Sequence, residues 1–282
     1  MPRATLLSIA IAAMLVFSVI PVFAQPVKGP YIDEARFIHY EDENVALEEV
    51  KSGGLDAYYF RIPLESASDA KSDPRIKIYD RLAGTNLLLL NPAPQADDQA
   101  LNPFQFKEVR FAMNYLVDRD LVVNEFHNGY GSPLSEPFGI YSPEYLNIID
   151  TVESFGFRYN PQLAQSMITE AMTGAGATME GGVWTYGGEP VTVKVMIRSD
   201  DAQRRLIGDD ISAKLEDIGF SVQKEYGDLT KANAVVYGTD PQEQGWHVYT
   251  EGFAGTATFV KYNPVVPAQM YAPWYGRMPG FQ

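Results

Sequence analysis

Phe104-Gln105-Phe106-Lys107-Glu108-Val109-Arg110-Phe111-Ala112-Met113-Asn114-Tyr115-Leu116-Val117-Asp118-Arg119-Asp120 is the stretch around which this chain can be read. Phe106, Val109, Met113 and Leu116 recur at helical spacing, and Lys107, Glu108, Arg110 and Asn114 fall mostly between them. Asp118 is placed to cap a second short helix through Leu121, Val122 and Phe126, which Asn128-Gly129 would stop. On these residues alone the segment is a charged amphipathic helix pair, a packing element without chemistry of its own.

Working outward toward the N-terminus, Leu87 to Leu90 is an apolar run suited to a strand buried on both faces. Asn91-Pro92-Ala93-Pro94 ends it and Gln95 to Asn102 is polar, which marks a candidate domain boundary. Further upstream, residues 35–60 have the pattern of a strand–helix–strand crossover. Ala35 to Tyr40 is the first strand, and Asp42 or Glu43 opens a helix whose apolar side is Val45, Ala46, Leu47 and Val50. Gly53-Gly54 stops that helix, and Leu55 to Phe60 is the second strand. Asp73-Pro74 turns the chain into a short strand, Ile76 to Tyr79.

Toward the C-terminus, residues 129–143 are turn-rich, and Gly129-Tyr130-Gly131 lacks the third glycine of a nucleotide-binding fingerprint. Asn160-Pro161 starts a helix lined by Leu163, Ala164, Met167, Ile168 and Ala171. Residues 181–190 form a hairpin that feeds a strand with Val191, Val193, Val195 and Ile197 on one face. Asp200 or Asp201 caps a helix through Ile207, Ile211, Leu215 and Ile218, stopped by Gly219. Phe220, Val222 and Tyr226 form the strand after it, which makes 191–226 a parallel crossover unit. Trp246 to Phe253 is strand-like and aromatic, and Glu251 is the last acid of the chain.

Several of these stretches resemble one family. Val109-Arg110-Phe111-Ala112-Met113-Asn114-Tyr115-Leu116-Val117-Asp118-Arg119-Asp120 is similar to the V-R-x-A-(I/M)-N-Y-(L/I)-(V/I)-D-R-(D/E) signature of the solute-binding proteins of ABC importers, the peptide- and nickel-binding family 5. The segment from Asn44 to Ala57 resembles that family's A-x-x-A-L-x-x-G-E-I-D element, with Gly54-Leu55-Asp56 at the G-E-I-D position. Residues 182–191 resemble its G-x-W-x-x-x-G-x-P-V hairpin. The resemblance implies an α/β, type II periplasmic-binding-protein-like fold, here a partial two-lobe architecture with mixed sheets flanked by helices. It also implies that lobes close on a solute and hand it to a membrane permease, with no bond made or broken. The expected organisation is a signal peptide over 1–24, part of a first lobe over 25–92, a second lobe over 93–245, and a crossover strand with an incomplete tail over 246–282.

Composition narrows the alternatives. The chain of 282 residues is 46% hydrophobic and 21% charged, with a net charge of −14, and no basic run is available to neutralise phosphates. Nucleic acid is therefore excluded as a partner, and an anionic membrane surface is disfavoured. With no cysteine, thiolate catalysis, disulfides and Cys-ligated metals are excluded. Met1 to Arg3 followed by the apolar run Ala4 to Val22 and Val22-Phe23-Ala24 reads as a secretory signal cleaved after Ala24; an uncleaved anchor is the competing reading. Both place the remainder outside the cytoplasm.

No catalytic motif is present: no H-E-x-x-H, no G-x-S-x-G and no phosphate loop. His39, His127 and His247 are far apart in sequence; the resemblance to a family with nickel-binding members makes His247 a candidate nickel ligand, but it has no second histidine nearby and no metal site is expected. Asp97-Asp98 and Asp209-Asp210 read as solvated charge. A cleft that is mostly apolar and aromatic with a few oriented polar groups is what remains, and no cofactor is called for. Tyr249, Glu251, Phe253, Trp274 and Tyr275 have that composition. The resemblance implies that an acid near this segment holds a peptide's ammonium group, which makes Glu251 the candidate, with Asn91 a lesser one through its amide. The expected ligand is a peptide or another small solute. The alternative is a non-catalytic module that uses its aromatic tail against a partner chain.

Overall fold

A computed structural model describes residue 29 and residues 32–80, 84–94, 100–135 and 143–253. It divides into two compact units, residues 1–66 and 67–282. In the first, helix α1 (Glu43–Ser52) forms as its sequence dictates. The Asp42 carboxylate accepts from Asn44 N–H at 2.8 Å, and Gly53, at φ +84°, donates to the carbonyls of Glu49 and Val50. Ala46 and Leu47 are buried, but Val45 is half exposed. The strands expected at 35–40 and 55–60 do not form. Among the described residues neither pairs with a neighbour, and Phe37 and Tyr59 are 95% and 91% exposed. A short extended segment gains its stability from a ladder and a covered face, and α1 alone provides neither.

Helix α2 (Leu64–Ser72), unforeseen in the sequence, spans the division. Its pattern is faint because Ala70 is the only buried residue of its nine. Residues 76–79 are irregular rather than a strand, and Tyr79 is exposed.

The second unit is built on a four-stranded sheet. Its strands are β1 (Thr85–Leu90), β5 (Thr192–Arg198), β6 (Ser221–Gly227) and β7 (Val248–Phe253), in the order β1-β7-β5-β6. β2 (Thr178–Glu180), β3 (Val183–Tyr186) and β4 (Glu189–Pro190) form a separate small antiparallel sheet. Its tight turns place Gly181-Gly182 and Gly187-Gly188 at positive φ, as two-residue hairpin turns require. β5 pairs in parallel with β6 and with β7, whereas β1 runs antiparallel to β7. β1 thus joins this sheet, upstream of the boundary expected at the Pro-rich break. It is an outer strand among the described residues: Leu89 alone is buried, and Leu87, Leu88 and Leu90 are half-buried, so the expected burial on both faces is not met.

Helices cover both faces. α3 (Lys107–Leu116), α5 (Pro161–Gly174) and α6 (Ala202–Asp217) pack Val109, Met113, Leu116, Ile168, Met172, Ile211 and Leu215 against Val193, Val195 and Ile197. On the other face α7 (Leu229–Val236) brings Ala232 and Val236 to Met196, Tyr249, Trp246 and Leu89. Two of the unit's helices were not anticipated, α4 (Pro143–Ser154) and α7.

The polar residues of the opening stretch explain themselves locally. Arg110 donates to the carbonyls of Phe104 and Gln105 at 2.7 and 2.9 Å, pinning the turn before α3. Asn114 accepts from Arg119 at 2.9 Å through its side chain, and Arg119 also reaches Leu134 O at 2.6 Å. Tyr115 donates to Phe155 O, and Asp118 caps the next turn by accepting from Leu121 N–H at 2.9 Å. A π-wound turn, Val122–Phe126, follows and ends at Asn128 and Gly129, both at positive φ. Arg110, Asn114, Tyr115, Asp118 and Arg119 are thus used within the protein, as parts of its scaffold.

Candidate functional site

From β5 the chain moves one way to β6 and then back across β5 to β7. In open α/β sheets ligands bind beyond the carboxyl ends of the strands where progression reverses, which here is the β5–β7 border. At that edge the Arg198 guanidinium forms a fork with Asp200, Nε to Oδ1 at 2.6 Å and Nη2 to Oδ2 at 2.8 Å. The same pairing lowers the Asp200 pKa and raises that of Arg198. Arg198 N–H donates to Thr250 Oγ1 at 3.0 Å, which joins β5 to β7.

Asp201 caps α6 by accepting from Arg204 N–H at 3.1 Å, and the first helical turn aims the Arg204 side chain back at β7. Its Nε and Nη2 donate to Thr250 O at 2.8 and 2.6 Å. Nη2 also meets Tyr249 Oη at 3.0 Å and Glu251 Oε1 at 3.2 Å. Glu251 accepts further from Gly252 N–H at 2.6 Å and from the Tyr237 hydroxyl. The Arg204 and Glu251 side chains are only 7% and 9% exposed. Burial and the Glu251 carboxylate raise the pKa of Tyr237, and the same two causes raise that of Tyr249. Such a pair gains little over an apolar replacement, but removal of one partner strands a buried charge. A Cβ at Gly252 would stand 2.9 Å from Asn86 Oδ1 and 3.4 Å from Arg204 Nη1, so the exposed Asn86 side chain would have to move aside for it. Beside it, His127 Nε2 lies 3.3 Å from Asn86 Nδ2, and burial lowers its pKa against the opposing influence of Asp201.

The candidate residues do not converge. Glu251 and Phe253 stand toward the carboxyl end of β7, with Tyr249 fully buried beneath. Asn91 lies past the opposite end of β1, four residues beyond the partner of Glu251 and six beyond that of Phe253, roughly 13 and 20 Å along the strand. Both Asn91 Nδ2 hydrogens are committed, to Pro241 O at 2.9 Å and Trp246 O at 3.0 Å, and Oδ1 accepts from Ala93 N–H at 3.0 Å. Asn102 and Gln244 complete this buried amide network through the carbonyls of Asn91 and Ala93. Trp274 and Tyr275 lie outside the described residues. Nδ1 of buried His247 accepts from Lys194 N–H at 2.8 Å; burial and Lys194 push its pKa down to about 4, so the ring is neutral. No group of three potential metal ligands occurs among the described residues.

Arg204, Tyr237 and the Arg198–Asp200 fork escaped the sequence reading. Arg204 did leave a trace, because it extends the Ile207, Ile211, Leu215 stripe by one turn and so sits where a helix faces its core.

The profile of the bacterial extracellular solute-binding proteins, family 5 Middle, matches residues 21–264. Among solved structures, the chain is similar to the periplasmic oligopeptide-binding protein of an oligopeptide ABC transporter from Thermotoga maritima. There the TM-score is 0.61 and the identity 17%, with 86% of this chain and 46% of that one covered. It is also similar to NikA from Brucella suis in complex with Fe(III)-EDTA, at a TM-score of 0.59, 19% identity and coverages of 84% and 44%. The oligopeptide-binding protein AppA from Bacillus subtilis, in complex with a nonapeptide, gives 0.50 and 20%, with coverages of 75% and 39%. The chain thus spans less than half the length of these structures, and at such identities the likeness speaks for the fold. No curated protein matches the sequence significantly.

Proposed function

The chain belongs to the bacterial extracellular solute-binding proteins of family 5, and from that premise we propose that it binds a small solute, a peptide, outside the cytoplasm for delivery to an ABC permease. In this reading it makes and breaks no bond, and the apolar N-terminal run directs its export. The observation that carries the reading is the β5–β7 border, where the sheet reverses direction and Arg198, Asp200, Arg204 and Glu251 crowd the carboxyl ends of the strands.

Glu251 enters as the anchor of the ligand-facing end of β7, since Arg204, Tyr237 and Gly252 already share its two oxygens. Calorimetric titration of the purified mature chain with a mixed di- to pentapeptide library tests the function, and saturable heat supports it. No heat, together with a concentration-dependent dimer in sedimentation, points instead to an interaction module. Glu251→Gln separates the roles of that residue. Weakening of free-amine and N-acetylated peptides alike fits an anchor, whereas selective loss of free-amine peptides assigns it to the ligand's ammonium group.

A further inference from the structure

Away from the β5–β7 border, α3 and α5 leave a groove of about 350 Å³ between the start of one and the end of the other. Phe106, Met167, Ala171, Gly174 and Ala175 line it, and the exposed Glu108 and Glu170 stand on its rim. The volume is at the small end of roughly 300–1,000 Å³ for ligand pockets, which suits one or two side chains of a partner.

The two charged residues that line it are both acids. No lysine or arginine lines the groove, and neither rim carboxylate makes a hydrogen bond or ion pair among the described residues. Arg110, whose charge Glu108 feels, has its guanidinium committed to the carbonyls of Phe104 and Gln105. Glu170 also stands close to the carboxyl end of α5, where the helix dipole is negative and a cation is favoured, yet the last turn carries no base. The helix end and the carboxylate therefore reinforce each other.

We propose that this groove docks a basic amphipathic segment of a partner protein. A large apolar side chain of that segment seats on Phe106, Met167 and Ala171, with Lys or Arg on either side facing Glu108 and Glu170. Asn102, four residues before the lining Phe106, donates to Asn91 O, which puts the groove toward the Asn91 end of the sheet, so docking there leaves the proposed ligand edge open. The inference does not depend on peptide binding at that edge.

The test uses a fluorescein-labelled Lys-Leu-Lys-Phe-Lys-Leu-Lys peptide, N-acetylated and C-amidated, in anisotropy titrations of the mature chain. Binding is expected to saturate and to resist an excess of unlabelled dipeptides. It should weaken about tenfold in Glu108→Lys/Glu170→Lys, as two exposed ion pairs at the upper end of their range would give. A control reversal of equal charge on exposed residues elsewhere, Glu189→Lys/Glu216→Lys, should change it by less than about twofold. Thermal melts of both variants confirm that they fold. Equal loss in the two reversals would show attraction to net charge alone and overturn the proposal, as would the absence of saturable binding to the parent.

Discussion

The two ends of the β1–β7 pair are closed by opposite chemistry. At the Asn91 end, neutral amides of Asn91, Asn102 and Gln244 stitch backbone carbonyls together, and a neutral His247 ring accepts from Lys194 N–H. At the Glu251 end β7 is held by a buried ion pair, Arg204 against Glu251, beside a half-open one, Arg198 against the exposed Asp200. Amides fix a geometry with no net charge, so that end serves the fold. Buried ions are a poor way to stabilise a sheet but a good way to set a field at its edge.

Removing one ion should therefore break this symmetry most visibly. Arg204→Met strands the Glu251 carboxylate and should lower unfolding free energy by about 3–5 kcal/mol in urea titrations. The double variant Arg204→Met/Glu251→Met should recover most of that loss; if it does not, the pair is not coupled as described. Acid acts on the other end first. His247 has a folded pKa of about 4, below the ordinary imidazole value, so its contribution is complete above about pH 6.5 and is lost as pH falls toward 4. The shift amounts to about 3 kcal/mol, and His247→Gln should flatten the pH dependence of stability in that window. Asp200, whose pKa is lowered by Arg198, contributes stability that is complete above the ordinary carboxylate pKa and is lost as pH falls from there toward its lowered folded value. Asn91→Ala leaves the Pro241 and Trp246 carbonyls and Ala93 N–H short of a partner, and about 1–3 kcal/mol should be lost. The smallest effect is expected at Asp118→Ala, about 1 kcal/mol for a lost helix cap, with peptide binding unchanged.

The second unit was legible wherever periodicity and capping coincide. Asn160-Pro161, Asp201 and Gly219 bound helices in the structure as they do in the sequence, and Val193, Val195 and Ile197 form one buried face of β5. Within residues 35–60 the helix formed as expected, but the two strands did not, because alternation of apolar residues reports a potential strand and pairing needs a neighbour that the local sequence does not encode. α2 and α7 bury so few side chains that their patterns fall below notice. The candidate site was half visible. Glu251 and Tyr249 drew attention by type, but their partner Arg204 lies 47 residues upstream of Glu251, and only the β5–α6 geometry brings them together. Asn91 was picked out for its place after a strand, a position that suits a buried structural amide equally well.

The most direct test of the proposed site follows backbone amide resonances while the purified chain is titrated with a pool of di- to pentapeptides. Shifts confined to Ser199, Asp200, Gly252 and Phe253, with Asn91, Ala93 and Trp246 unmoved, are what the account predicts. Shifts centred on the Asn91 end, or saturable binding that leaves the β5–β7 border untouched, would contradict it.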